Sequence, residues 1–459
     1  MISSIINTET MIIQPAKRTE SVQEYYFSRK LKEIAAMNAE RAAAGEDLVI
    51  NLGIGSPDGM PPMAAIDALC DEARQPGNHA YQSYVGIPQL RQAFADWYSR
   101  WYGVQLDPAN EIQPLVGSKE GILLISLAFL DKGDKVLVPD PGYPTYSSAS
   151  KLVEAEMVTY DLKAENGWQP DFEALENMDL SGVKIMWTNY PNMPTGAPAT
   201  EELYAKLVDF ALRHNILICN DNPYSFILND TPLSILAQPR AKECCLELNS
   251  LSKAHNMAGW RIGMVAGDSE MIAQILKVKS QMDSGMFKPM QMAAVKALEQ
   301  GPEWFAQLND EYRRRRALAG EIFDLLGAEY DHDSSGMFLW GRIGLTVNSG
   351  DPRLRCAPCS LQRSTGPFAS PLATPSRGWH VTSIHQSDQS STRTSSGDHQ
   401  MSRGQQVSDW ALYEAGVFIT PGFIFGKNGE DYIRISLCAK PEVLKKAAEK
   451  LRNACRINR

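Results

Sequence analysis

The chain has 459 residues, of which 44% are hydrophobic and 22% are charged, and its formal net charge is -9. This length and composition predict a large soluble protein of two domains with an extensive core. The negative charge argues against a nucleic-acid surface, which needs clustered positive charge. The one dense basic run, RRRR at 313–316, has a helical context that is typical of a solvated face.

Membrane insertion and secretion are also disfavoured by the sequence. No apolar run approaches the roughly 20 residues of a membrane span. The start, MISSIINTETMIIQ, lacks the charged region and apolar core of a signal peptide, so we expect a cytoplasmic protein. Several of the eight cysteines lie inside apolar runs, among them Cys219, Cys244 and Cys245. This placement is typical of reduced core residues rather than a disulfide framework.

The sequence of the N-terminal part of the chain predicts two helices and a glycine-containing turn. A helix is expected at 25–44, and the aromatic cluster YYF at 25–27 could contact either a partner subunit or the chain's own domain. After the apolar run at 48–52 comes GSPD at 55–58, where glycine lets the backbone approach a ligand. An amphipathic helix follows at 90–102.

The middle of the chain alternates predicted strands and helices, which indicates an α/β fold with a mostly parallel sheet covered on both faces. Polar motifs follow the strands, at the edge where open α/β sheets bind ligands. The run GSKEG at 117–121 precedes a helix, whose N-terminus offers free N–H groups and a positive dipole end to a phosphate. The predicted elements are helices at 122–130 and 201–214 and strands at 136–138, 185–187 and 216–218.

One lysine has neighbours that favour a chemical role. The run SLSK at 250–253 lies between two probable strands at 244–248 and 262–266. Burial disfavours the charged form of an amine, and a neutral amine can form a Schiff base with a carbonyl, so Lys253 is a candidate for that reaction. A lone lysine is usually a surface residue, but here two serines and Arg261 provide phosphate contacts around the amine.

The runs SLSK at 250–253 and GWRIG at 259–263 resemble the cofactor-lysine signature of class I/II aminotransferases, the fold-type I pyridoxal-phosphate enzymes. The branch that holds LL-diaminopimelate, aspartate and alanine aminotransferases is the most similar. The resemblance implies an α/β fold-type I PLP transferase with a large, mostly parallel sheet domain and a smaller α+β C-terminal domain. The implied division is an N-terminal arm or helix at 1–46, a large cofactor-binding domain at 47–300 and a small domain at 301–459, interrupted at 347–406.

The same resemblance implies pyridoxal 5'-phosphate as the cofactor, joined to Lys253. The pyridine nitrogen of the cofactor must stay protonated, and Asp221 matches the family's carboxylate that holds this proton. Tyr224 would donate to the phenolic oxygen of the ring, and Tyr143 would stack on the ring face. The expected phosphate ligands are Ser118 and Lys119 through their backbone amides, Ser250, Arg261, and Tyr81 from the neighbouring subunit.

The chain departs from the family at one cofactor contact. The family has asparagine directly before Pro-Thr-Gly, but this chain has Met193 there and Asn192 one position earlier. Either Asn192 or Asn189 reaches the phenolic oxygen, or Tyr224 carries the hydrogen bond alone.

Two further residues are expected to hold the substrate. The loop that contains Gly55 lies over the substrate carboxylate in the family. Arg434 lies in a predicted strand at 432–436, and its planar guanidinium can bind an α-carboxylate with two hydrogen bonds.

These residues imply an aminotransferase that moves an amino group from an L-amino acid to a 2-oxo acid by a ping-pong mechanism, in a homodimer with shared active sites. No metal, nucleic-acid or membrane partner is expected. One alternative is a lyase of the same fold, such as a β-carbon-sulfur lyase, which would release pyruvate and ammonia. Another is a catalytically impaired homologue, because of the interrupted small domain.

The C-terminal third contains an anomalous segment. From about 347 to about 406 the chain shows neither helical nor strand periodicity and is rich in Ser, Arg, Pro, His, Thr and Gln. The run CAPC at 356–359 lacks the partners and spacing of a zinc site. We interpret the segment as a disordered, linker-like insertion or an out-of-frame stretch of the coding sequence. The elements predicted around it are helices at 289–299, 303–326, 408–417 and 441–452 and strands at 336–340 and 432–436.

Overall fold

The computed structural model describes residues 12–344 and 401–457. The anomalous segment and its CAPC run therefore lie almost entirely outside the described residues, and the expectations about them remain predictions. The C-terminal end of the segment is an exception, because a helix begins at Arg403. The Ser402 side chain accepts a hydrogen bond from the backbone N–H of Gln405 and caps this helix, so regular structure returns earlier than the sequence pattern indicated.

The described strands are β1 (Ile50–Asn51), β2 (Ile112–Leu115), β3 (Lys135–Asp140), β4 (Glu156–Asp161), β5 (Val183–Asn189), β6 (Leu217–Asp221), β7 (Cys245–Ser250), β8 (Gly263–Ala266), β9 (Ala328–Tyr330), β10 (Phe338–Ile343), β11 (Val417–Phe418), β12 (Thr420–Pro421) and β13 (Tyr432–Ser436). The described helices are α1 (Lys17–Glu20), α2 (Tyr26–Ala44), α3 (Met63–Ala73), α4 (Pro88–Tyr102), α5 (Ser118–Phe129), α6 (Pro144–Leu152), α7 (Phe172–Glu176), α8 (Glu201–His214), α9 (Ser269–Lys279), α10 (Lys288–Leu298), α11 (Pro302–Leu326), α12 (Arg403–Tyr413) and α13 (Pro441–Ile457).

The main sheet confirms the predicted α/β fold. Its seven strands have the order β2-β8-β7-β6-β5-β3-β4, and only β8 runs antiparallel to its two neighbours. The inner strands are buried along most of their length on both faces, as parallel strands covered by helices must be, which explains their apolar runs. Their carboxyl ends place polar side chains side by side: Asn189 pairs with Asp221, and Ser250 ends the next strand.

A second, antiparallel sheet forms from the C-terminal part of the chain, in the order β12-β13-β10-β9. Its first strand in sequence is β9, so the prediction that the strand at 336–340 opens this part was wrong. With three residues, β9 is too short to show an alternating pattern. Arg434 lies at the centre of this sheet, where it pairs with Trp340 and Thr420.

The N-terminal aromatic cluster contacts the chain itself. The Tyr26 ring packs edge-on against Phe423 at 5.7 Å, and Tyr25 and Phe27 reach the same cavity as Arg434. In the described parts of the chain, no helix combines the length and apolar character needed to cross a bilayer. The three cysteines singled out from the sequence, Cys219, Cys244 and Cys245, are buried free thiols.

A buried carboxylate links the central strands. Glu247 on β7 is fully buried, and it accepts hydrogen bonds from the hydroxyl groups of Tyr98 (2.9 Å) and Ser234 (2.7 Å). The side-chain amide of Asn220 and the backbone N–H of Ile235 also donate to it, at 3.0 and 3.1 Å. Burial raises the pKa of Glu247, and these donors oppose the shift.

We predict that Glu247→Ala lowers the free energy of unfolding by roughly 3 kcal/mol, because four buried donors lose their acceptor. Thermal or urea unfolding of the variant measures the loss. Glu243→Ala is the control, since that carboxylate is exposed and forms a surface ion pair with Arg240. Equal stability of the two variants would contradict a structural role for Glu247.

Candidate active site

A cavity of about 390 Å³ lies at the carboxyl ends of the central strands, between the main sheet and the C-terminal sheet. All but two of the sequence-predicted site residues line it. Those that do are Gly55, Ser118, Lys119, Tyr143, Asp221, Tyr224, Ser250, Lys253, Arg261 and Arg434.

Lys253 extends into this cavity from the turn that follows β7. Its Nζ donates a hydrogen bond to the backbone carbonyl of Gly55 at 2.6 Å. Burial lowers the pKa of the ammonium, and the neighbouring cations Arg434 and Arg261 lower it further. A Cβ at position 55 would collide with the ring of Phe338, so only glycine allows the backbone to approach the amine so closely.

Asp221 presents an unpaired carboxylate oxygen at the end of β6. Its Oδ2 accepts a hydrogen bond from the Tyr146 hydroxyl at 3.1 Å, while Oδ1 is buried and has no partner among the described residues. Burial raises the pKa of Asp221 to about 7, although Tyr146 and the charge of Lys253 oppose the shift. A carboxylate held in this way fits a cationic N–H group in the cavity.

The opposite side of the cavity offers several donors to an anion. Helix α5 begins at Ser118, so its free backbone N–H groups and positive dipole end are available there. The guanidinium of Arg261 lies so close to Gly117 that a Cβ at that position would collide with it. Arg261 also donates to Ser252 (3.4 Å), whose hydroxyl accepts from Ser250 at 2.8 Å. This combination is suited to phosphate.

Arg434 is a buried cation without a carboxylate partner among the described residues. Its Nη2 donates to the carbonyl of Gly53 at 2.8 Å, its Nη1 lies 3.2 Å from the Met193 sulfur, and its Nε is unpaired. The ring of Phe338 stacks 3.9 Å from the guanidinium carbon, and the ring of Phe425 lies at 4.6 Å. Burial lowers the pKa of Arg434 to about 10. An anionic ligand would therefore be bound strongly here.

Two predicted residues lie elsewhere. Asn192 does not line the cavity, because its amide oxygen accepts from the Thr195 hydroxyl (2.7 Å) and its amide nitrogen donates to the Asn189 carbonyl (3.1 Å). The side chain therefore closes a turn. Tyr81 is 91% exposed and contacts no part of the cavity in its own chain.

Sequence reasoning missed several residues that line the cavity. Tyr146 comes three positions after Tyr143, a spacing that places both tyrosines on one face at the start of α6. Tyr25 and Phe27 were recognised as an aromatic cluster, but the sequence did not indicate which part of the structure they would contact. Phe338 was seen only as part of a strand, and Met193 only as a departure from a motif.

Comparisons with known proteins identify the family. The model of the family "Aminotransferase class I and II" matches residues 47–451. An LL-diaminopimelate aminotransferase from Dehalococcoides mccartyi is 37% identical, covering 95% of this chain and 98% of its own, and one from Aquifex aeolicus is 36% identical over 94% and 99%. The chain belongs to the class I and II aminotransferases. The substrate-bound structure of BacF from Bacillus subtilis has a TM-score of 0.78 and 30% identity over 96% of this chain and 98% of that one.

The chain is therefore a pyridoxal-phosphate-dependent aminotransferase, as the resemblance implied. The cavity fits this cofactor on independent grounds. The unpaired Oδ1 of Asp221 suits a protonated pyridine nitrogen, the amine of Lys253 suits an aldehyde, and the α5 terminus with Arg261 suits a phosphate.

The raised pKa of Asp221 predicts a pH dependence in the cofactor-free protein. Because the folded pKa of about 7 exceeds the unfolded value of about 3.9, folding takes up a proton between these values. The stabilising contribution is complete below about pH 4 and is lost as pH rises through 7. As pH rises through this window, the melting temperature of the cofactor-free wild type should therefore fall by several degrees relative to that of Asp221→Asn.

Asp209→Asn is the control, since that carboxylate lies on the exposed face of α8 and pairs with Arg213. Parallel pH curves for the wild type and Asp221→Asn would contradict the raised pKa.

Proposed function

We propose that this enzyme exchanges an amino group between an L-amino acid and a 2-oxo acid, with Lys253 as the catalytic residue. The observation that carries this proposal is a partly buried lysine amine in one cavity with an unpaired carboxylate oxygen and a buried arginine. Bound pyridoxal phosphate supplies an electron sink that stabilises negative charge at the substrate α-carbon. Lys253, with its lowered pKa, is a neutral amine that accepts the α-proton of the amino acid in the first half-reaction. In the second half-reaction it delivers a proton to the α-carbon that comes from the 2-oxo acid.

The remaining residues position the reactants. Asp221 holds the proton of the pyridine nitrogen, and Tyr146 orients its carboxylate through Oδ2. Tyr143 would stack on the ring, and Tyr224 or Asn189, which both line the cavity, would donate to the phenolic oxygen. The phosphate is bound by Ser118 and Lys119 through the start of α5, together with Ser250 and Arg261.

Arg434 and Gly55 define where the substrate carboxylate lies. Since Nη1 and Nε of Arg434 face no carboxylate of the described chain, an α-carboxylate can pair with the guanidinium from the cavity side. The Met193 sulfur, a weak acceptor, is displaced easily by this stronger partner.

The names of the relatives make LL-diaminopimelate the first amino donor to test. A second candidate, a donor with an apolar side chain, is favoured by the cavity walls Phe27, Leu31, Ile54 and Phe338. In the described residues, the only acidic side chain that lines the cavity is Asp221, so this chain offers no separate carboxylate to a distal ammonium group.

We further propose a cytoplasmic homodimer. Tyr81 is exposed and does not line the cavity of its own chain, which supports its assignment to the phosphate of the neighbouring subunit. We also propose a division into an arm at 1–46, a large domain at 47–300 and a small domain at 301–459. The seven-stranded sheet falls within the second part and the four-stranded sheet within the third, which supports this division, and the short β1–β11 pair joins the two parts.

The function is tested by incubating the purified enzyme with 2-oxoglutarate and a panel of amino acids, including LL-diaminopimelate, phenylalanine and leucine, and measuring glutamate. Lys253→Ala should lose at least about 10³-fold in rate, because the proton acceptor is removed. Lys132→Ala, an exposed lysine, should keep wild-type activity. Pyruvate and ammonia without an acceptor would identify a lyase instead.

Shared active sites are tested with mixed dimers of Tyr81→Ala and Lys253→Ala. Since one of the two sites in a mixed dimer is whole, an equal mixture should regain about a quarter of wild-type activity. A mixture of Lys253→Ala and Asp221→Ala should regain none, because both residues serve the site of their own chain. Equal recovery in the two mixtures, or none in either, would contradict sharing through Tyr81.

A further inference from the structure

Arg315 on helix α11 is buried, although the basic run at 313–316 predicted a solvated face. Arg315 is 8% exposed, whereas the side chain of its neighbour Arg314 is 74% exposed. The expectation was wrong for this position because one side of α11 packs against the rest of the chain, and every third or fourth residue along the helix is buried on that side.

The guanidinium of Arg315 joins three parts of the structure. Its Nη1 lies 2.7 Å from Oδ1 of Asp58 and donates to the backbone carbonyls of Leu437 (3.3 Å) and Cys438 (3.0 Å). Its Nε donates to Glu311 on the same helix at 2.9 Å. One side chain therefore connects the loop that contains Asp58, the end of β13 and helix α11.

The loop at 53–58 contacts both the catalytic amine of Lys253 and the guanidinium of Arg434, which we expect to bind the substrate carboxylate. The carbonyl of Gly53 accepts from Arg434, and the carbonyl of Gly55 accepts from Lys253. The loop has no regular secondary structure. One end is fixed by a hydrogen bond from the Ser436 backbone N–H to the Leu52 carbonyl at 2.8 Å, and the Asp58–Arg315 pair fixes the other end.

The loop has space into which it could shift. A separate cavity of about 210 Å³ lies beside Asp58 and Arg315, and Tyr312 and Asn256 also line it. Without the ion pair, the far end of the loop could move into this volume. Such a displacement would change the positions of the two carbonyls that face Lys253 and Arg434, and small displacements of reacting groups lower rates strongly.

We propose that Arg315 is a positioning residue for the amino-acid substrate, which acts by holding the 53–58 loop against β13 and so sets the spacing between Lys253 and Arg434. The proposal rests on the roles proposed for those two residues. Arg315 is not a catalytic residue, since it does not line the active-site cavity. The cofactor cradle at α5 and Asp221 makes no contact with Arg315 among the described hydrogen bonds, so cofactor binding should not depend on it.

The test compares Arg315→Ala with its neighbour Arg314→Ala as holoenzymes. The probe is 2-aminoisobutyrate, which has the amine and carboxylate of a substrate but neither an α-proton nor a specific side chain. Its dissociation constant, followed through the cofactor absorbance, should rise about tenfold or more in Arg315→Ala and stay unchanged in Arg314→Ala. The affinity for pyridoxal phosphate should be the same in both variants.

Glu311→Gln and Asp58→Asn separate the loop contact from a general effect on folding. Asp58→Asn keeps the shape of the side chain and should weaken probe binding in the same direction. The double variant Asp58→Ala/Arg315→Ala should bind the probe no more weakly than Arg315→Ala alone, because both substitutions remove the same Asp58–Arg315 contact. Glu311→Gln, which changes only the contact within the helix, should have little effect.

Several results would overturn the proposal. These are unchanged probe affinity in Arg315→Ala, additive losses in the double variant, or a parallel loss of cofactor affinity, which would indicate a structural role. If Arg315→Ala does not fold, the probe affinity of Asp58→Asn is used instead, and an unchanged affinity would overturn the proposal. The proposed function fails separately, when the wild type yields no glutamate with any amino donor.

Discussion

The structure depends on holding unpaired charged groups in one buried cavity. Arg434 has no carboxylate partner in the described chain, and one oxygen of Asp221 has no hydrogen-bond partner. Burying a charged group without a partner is costly, because the protein interior does not replace the hydration of the ion. That cost is recovered when a cofactor and a substrate with complementary charges occupy the cavity, which makes the same groups strong binding determinants.

The fold provides the rigidity that this arrangement needs. Asp221 ends β6, a central strand that is hydrogen-bonded to β5 and β7 on its two sides, so its backbone is held firmly at the edge of the cavity. Arg434 is fixed in the middle of a separate antiparallel sheet. The irregular loop at 53–58 lies between the two groups, and its contacts with Lys253, Arg434 and Arg315 join the two sheets at the site.

Much of this architecture could be predicted from sequence because it is local. The apolar runs before Asn189 and Asp221 predicted parallel strands, and polar residues at strand ends predicted a convergent site. The residues that were missed act over long sequence distances. The partners of Arg315 and Phe27 come from distant segments, and neither an arginine run nor an aromatic cluster specifies its partner. Asn192 was misplaced because a short side chain in a turn bonds its own backbone neighbours.

Lys253 is the residue that we propose to hold the cofactor. Reduction of the holoenzyme with borohydride would fix the cofactor to its lysine, and mass spectrometry of the proteolytic peptides would locate the added mass. We predict a single labelled peptide that contains Lys253. Lys119 lines the same cavity, and burial lowers the pKa of its amine as well. Label on Lys119, or on no lysine of the cavity, would contradict this account.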